Sequence, residues 1–213
     1  MGYIVQRGEF VPMPKKEMLF DNSNWKTRKP RYDVAEAKMG RVLTVRMAPG
    51  DDLFGTTVKI CKEKNLKSGV ILSVAASLRK ATLRNVWKFP EPFPINDECR
   101  IFTPINGPLE LLQMSGNITQ TENGDPYLHA HVTISMGRPE ATCFGGHLVE
   151  GCEIFSTCEM VIAEIDGIDF MRIMDKHTRV GEVFGIELEG KSSAQVKKTI
   201  SDRKKRSKPS GVR

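Results

Sequence analysis

The sequence has no membrane-spanning stretch. No apolar run in its 213 residues approaches the roughly 18 that a spanning helix requires. The N-terminus, MGYIVQRGEFVPMPKKEMLF, lacks the basic start and apolar stretch of a secretory signal. Gln6 also stands where myristoylation wants Ser or Thr. These absences lead us to expect an intracellular chain with no membrane partner, cytoplasmic or nucleoid-associated in a prokaryote and nuclear in a eukaryote. Cysteine is scarce and odd in number. Cys61, Cys99, Cys143, Cys152 and Cys158 form no Cys-x-x-Cys pair, which argues against a disulfide framework and against a zinc ribbon. They read as reduced thiols in or near a core. The chain also lacks a phosphate-cradling glycine loop, a Ser-His-Asp order and a nucleotide fingerprint.

The composition is that of a soluble globular protein, 39% hydrophobic and 27% charged, with room for one sizeable core. The net charge of +6 is unevenly distributed. Residues 191–213 hold nine Lys or Arg and one Asp, a net of +8, whereas residues 38–190 carry a net of −4. The basic character that hints at nucleic acid therefore belongs to the tail and not to the body.

Three regions follow. Residues 1–37 mix Pro, charge, Asn and Ser without a sustained period and read as a loosely structured leader. Residues 38–190 carry the periodic patterns. RVLTVRM (41–47) alternates as a strand, and Pro49-Gly50-Asp51-Asp52 turns into a capped helix at about 52–64. GVILSVAASL (69–78) and KATLRNVWKF (80–89) read as two paired strands. Further strands are expected at 100–103, 109–118, 127–136, 141–149, 153–165 and 183–188, with NGP, NGD, MGRP, EGC and IDGID supplying turns. The expectation is a single α+β domain with a mostly antiparallel sheet and one flanking helix. Residues 191–213 read as a disordered basic tail.

The chemistry concentrates in YLHAHVTISMG (127–137). As a strand it turns Leu128, Ala130, Val132 and Ile134 to one face, and His129 and His131 to the other. Two imidazoles on one face, with Cα atoms about 6–7 Å apart, can converge on one metal ion. A hairpin centred near Arg138-Pro139 brings residues 146–148 opposite them, so His147 becomes available as a third ligand. Gly145 and Gly146 before it remove bulk and allow close approach. An isolated His-x-His is more often a solvated or cross-strand pair, and spacing alone leaves both readings open. Glu150 and Glu159 are the nearby carboxylates that could act as a base or hold the outer nitrogen of a ligating histidine; each is also an ordinary surface charge. His177 has no partner in register.

LHAHVTISMG followed by GGHLVEGCEIFSTCEMVI (145–162) resembles the PPC domain, short for plants and prokaryotes conserved. RVLTVRMAPGDDL, GVILSVAASLRKATLR and GPLELLQMSGNI extend the resemblance in order over roughly residues 40–188. It implies a compact α+β fold with an antiparallel sheet of about seven strands, a homotrimer, and a metal, usually zinc, on His129, His131 and His147. It also implies an association with DNA, since plant relatives join the domain to AT-hook motifs. Gly137-Arg138-Pro139 has the letters of an AT-hook core but lacks flanking basic residues and sits in a turn, so we reject it. Residues 107–111 read GPLEL where plant members carry a Gly-Arg-Phe-Glu-type motif, and Ala76 stands where Gly is usual; partner binding through that motif is not expected here.

Two functions are compatible with these residues. One is a zinc-binding PPC protein, associated with transcription, whose tail meets DNA phosphates through Arg203, Lys204, Lys205, Arg206 and Lys208. The other is a metal-dependent enzyme or small-molecule sensor that uses the position three histidines leave open.

Overall fold

The computed structural model describes residues 3–6, 9–12, 34–88, 97–174, 180–188, 191 and 193–206. Its elements are β1 (Tyr3–Gln6), β2 (Glu9–Pro12), β3 (Lys38–Met47), α1 (Leu53–Glu63), β4 (Gly69–Val86), β5 (Arg100–Gln120), β6 (Pro126–Met136), β7 (Cys143–Leu148), β8 (Glu153–Asp166), β9 (Ile168–Met174), β10 (Gly181–Glu187) and α2 (Ser193–Arg206). No helix among the described residues is long and apolar enough to cross a membrane.

The α+β expectation holds in its coarse form: one sheet-rich domain with two helices. The sheet has eight strands rather than about seven, in the order β10-β9-β5-β6-β7-β4-β8-β3, with β5 pairing β4 as well. The ladders are antiparallel apart from one parallel contact of β5 with β9, Gln120 opposite Met171. Within the leader, β1 and β2 pair as a separate two-stranded ribbon.

The helix lies where the sequence placed it. Asp52 is its N-cap, and its Oδ1 accepts from the Gly55 N–H at 2.8 Å. Leu53, Thr57 and Cys61, four residues apart, form the buried stripe. Gly50 makes the preceding turn at φ +90°, a backbone that glycine adopts without strain.

The two strands expected at 69–78 and 80–89 are one. The polar pair Arg79-Lys80 breaks the alternation and looks like a strand end. Instead the register shifts between Leu78 and Lys80, and a bulge inserts one residue. Leu78 and Ala81 both point inward, while Arg79 and Lys80 both reach Glu153, at 2.9 and 3.3 Å. The partner strand is likewise continuous through Asn106-Gly107-Pro108, read from sequence as a turn. A Cβ on Gly107 would stand 2.7 Å from the Leu78 carbonyl oxygen, so glycine there permits the close approach to the bulge.

Two further differences lie near the C-terminus. IDGID does supply a turn at Gly167, but FMRIM continues as β9, paired with β10 over seven positions. The tail read as disordered carries α2, whose Val196 and Ile200 pack on Met171, Ile173 and Ile186. The basic residues hid this short apolar pair in the composition. The main core lies between α1 and the inner faces of β4–β8, with Leu53, Ile118, Ile134, Leu148, Ile154 and Ile162 at 0% exposure.

Candidate metal centre

The apolar face of β6 buries Leu128, Ala130, Val132 and Ile134, each at most 4% exposed, and this fixes His129 and His131 on the opposite face. The β6–β7 hairpin sets His131 directly across from His147. The three side chains come together as the spacing suggested. One ring nitrogen from each lies within 4.8 Å of the others, and the ring centroids are 4.9–5.4 Å apart. Ligands about 2.1 Å from a shared tetrahedral ion stand about 3.4 Å apart. Closing the triad therefore needs movements of about an ångström, within the reach of side-chain rotation. Three imidazoles so placed suit zinc or a related divalent ion.

The strands around the triad explain its composition. β7 runs between β6 and β4, and a Cβ on Gly146 would stand 2.9 Å from the Asn85 side-chain amide. Asn85 in turn donates to the Gly145 carbonyl at 3.2 Å. The glycines thus serve the close approach that their presence suggested.

Two arginines border the triad that the sequence reading did not single out. Arg84 of β4 pairs with His147 across the ladder. Arg172 of β9 donates to Asn117 Oδ1 at 3.2 Å, and stacks over the Tyr127 ring at 4.7 Å. It also donates to the Gly181 carbonyl at 2.5 Å and contacts His129 Nδ1 at 3.3 Å. A guanidinium only donates, so Nδ1 accepts there and the neutral ring keeps its proton on Nε2. Coordination through His129 requires that contact to give way. Arg172 Nε is buried with no hydrogen-bond partner among the described residues.

The electrostatics favour neutral, ligand-ready rings. Burial, followed by the Arg84 guanidinium and the neighbouring histidines, pushes the His147 pKa down to about 3. Burial and Arg172 lower His129 as well. Both stay unprotonated at neutral pH, the form that binds metal. Burial also lowers Arg84 and Arg172, with Arg100 adding to the effect at Arg84.

A cavity of about 380 Å³ opens at His147, and Arg84, Thr82, Tyr127 and Glu150 are among its lining residues. Glu150 thus stands near the triad, exposed at the cavity rim. Glu159 does not: it sits on β8 across from Arg46 and Ala75, at a separate surface cleft. The backbone of residues 203–206 is helical, Lys208 and His177 lie outside the described residues, and the basic run is not brought to the triad by any described contact. Arg84 could not be recognised from sequence, because the β7–β4 pairing joins segments about sixty residues apart. Arg172 had a faint local signal, the alternation of Met171, Arg172 and Ile173 within FMRIM.

A family profile described as the Plants and Prokaryotes Conserved (PCC) domain, also abbreviated PPC, matches residues 34–166. Among curated proteins, the bifunctional protein GlmU of Synechococcus sp. (strain JA-3-3Ab) is 31% identical over 138 residues. That match is 65% of this chain but 19% of GlmU, so the shared region is about a fifth of that relative. Among solved structures, a PPC protein of Pyrococcus horikoshii is 25% identical with a TM-score of 0.60, covering 74% of this chain and 100% of that one. A metal-containing protein of Archaeoglobus fulgidus is 23% identical with a TM-score of 0.59, over 72% of this chain and 99% of that one. A candidate DNA-binding protein of Bacteroides thetaiotaomicron is 18% identical with a TM-score of 0.56, over 70% and 96%.

Proposed function

Because this chain belongs to the Plants and Prokaryotes Conserved domain family, we propose that it is a metal-binding protein that associates with DNA. His129, His131 and His147 would hold a divalent ion, with zinc the candidate. The observation that carries this reading is the convergence of their ring nitrogens within 4.8 Å. Bound by three imidazoles, zinc would keep a fourth position for a water or another ligand and act there as a Lewis acid. The ladder holds His131 against His147. Elemental analysis of the purified protein beside His131→Ala tests the centre. About one equivalent of metal per chain is expected in the first and a large loss in the second. Equal content in both would overturn it.

The DNA part of the reading rests on charge. The net +8 of residues 191–213, set against an acidic body, supports phosphate contacts from Arg203, Lys204, Lys205, Arg206 and Lys208. The description of the Bacteroides relative points the same way. Self-association as a homotrimer would triplicate the basic run. Exposed apolar side chains on the sheet strands (Leu72, Leu112, Phe144 and Phe155) support such self-association. Light scattering coupled to size exclusion measures the assembly directly. Replacing the five basic residues with Gln should remove salt-sensitive DNA binding, and binding that survives would refute the assignment.

A second reading, a metal-dependent enzyme or small-molecule sensor, is favoured by one observation: the cavity beside His147 with Glu150 at its rim. Glu150 would then hold or accept a proton from whatever occupies the cavity. Turnover or ligand binding that disappears with a chelator and with Glu150→Gln would support it.

A further inference from the structure

The surroundings of the triad are cationic beyond what the metal reading needs. Arg84 is half-buried, and no described carboxylate forms an ion pair with it; Asp97, whose charge reaches it, is paired to Arg100 at 2.8 Å. Among the described residues Arg172 meets only neutral acceptors and leaves Nε unsatisfied. Among the described residues Glu150 is the one carboxylate on the cavity wall, and it is exposed. A guanidinium withdrawn from water without an anion is costly, and the cost is recovered when an anion arrives. The lining of the cavity beside it is mixed: Arg84, Thr82 and His147 are polar, while Phe54 from α1 and Phe102 from β5, the latter directly across the ladder from Arg84, are apolar. At about 380 Å³ it falls at the small end of ligand sites, suited to a small metabolite rather than a nucleotide.

We propose that this cavity binds a small organic acid, with its carboxylate against Arg84 beside the histidine triad and its apolar body on Phe54 and Phe102. The proposal deepens the metal-centre reading and rests on it for the group that completes the polar end. Arg84 acts as a bidentate carboxylate anchor, a role its planar fork serves better than an ammonium would. The aromatic wall selects against bare inorganic anions, which gain nothing from it.

The test is calorimetric titration of the full chain with benzoate, beside benzyl alcohol and inorganic phosphate, with metal content measured on every sample. Benzoate should bind more tightly than either control. Arg84→Gln should weaken it at least tenfold while metal content and melting temperature stay unchanged. Phe102→Ala, at a side chain 57% exposed and so tolerant of truncation, should weaken benzoate and leave phosphate unaffected. Metal-loaded protein that ignores benzoate, binds phosphate as tightly, or binds equally well without Arg84 overturns the proposal and leaves the metal centre standing. Protein that takes up no metal refutes the centre instead, and its own benzoate titration still decides the cavity.

Discussion

Asp52 joins the helix to the strand connection that follows His147, and replacing it with Ala should be among the most damaging single changes at the surface of this fold. Its Oδ1 caps α1 by accepting from Gly55, while its Oδ2 accepts from the Gly151 and Cys152 N–H groups at 2.8 and 3.0 Å. A lost N-cap costs about 1 kcal/mol. Each hydrogen bond to a charged acceptor is worth about 1.5–3 kcal/mol. Cys152 is 0% exposed, so its N–H has no water to turn to. The backbone pairs around it, Leu53 N–H to Cys152 O and Ile154 N–H to Asp51 O, persist and limit the loss. The expected destabilisation is therefore about 3–5 kcal/mol, a large share of a typical domain's stability. Asp52→Asn keeps one acceptor but presents an amide donor to two N–H groups, and should lose about half as much. Urea unfolding with a chelator present measures both variants without the contribution of bound metal. A loss below about 1 kcal/mol for Asp52→Ala would refute the reasoning, since the two N–H groups would then have found other partners.

Other consequences are open to direct measurement. Deleting residues 191–213 should lower the melting temperature, because Val196 and Ile200 cover Met171, Ile173 and Ile186; replacing only the basic residues should not, which makes charge replacement the cleaner test of DNA binding. Thiol alkylation at pH 8 should modify one of the five cysteines in the native protein, Cys143. Cys99 is buried, and burial raises Cys61, Cys152 and Cys158 to about 11, so the reactive thiolate is scarce at each. More than one rapidly labelled thiol, read by mass spectrometry, would contradict the burial pattern. Gly116→Ala should destabilise the fold by about 1–3 kcal/mol and reduce metal content. An added Cβ meets the His129 carbonyl oxygen and stands 2.7 Å from the Ala130 Cα, forcing β6 and its histidines to move.

The relation between sequence and structure here follows the range of each interaction. The capped helix after Pro49-Gly50-Asp51-Asp52 and the alternating faces of 127–136 are decided by neighbours a few residues apart, and each was readable. The His131–His147 pairing was readable too, because a short hairpin leaves few registers and the apolar face of β6 selects among them. Arg79-Lys80 and Asn106-Gly107-Pro108 misled because a bulge locally inverts the meaning of alternation, and only the facing strand reveals it. α2 was hidden for a related reason. A helix with six basic residues among fourteen gains its stability from Val196 and Ile200 meeting a patch that β9 and β10 must first assemble. The sequence by itself determined the three histidines of the candidate centre and the strand that aims two of them. What surrounds them, Arg84 across from His147, Arg172 against His129, and the cavity between α1, β4, β5 and β7, was decided by tertiary structure alone. Those contacts join segments dozens of residues apart, and no local spacing encodes which long-range strand pair will close.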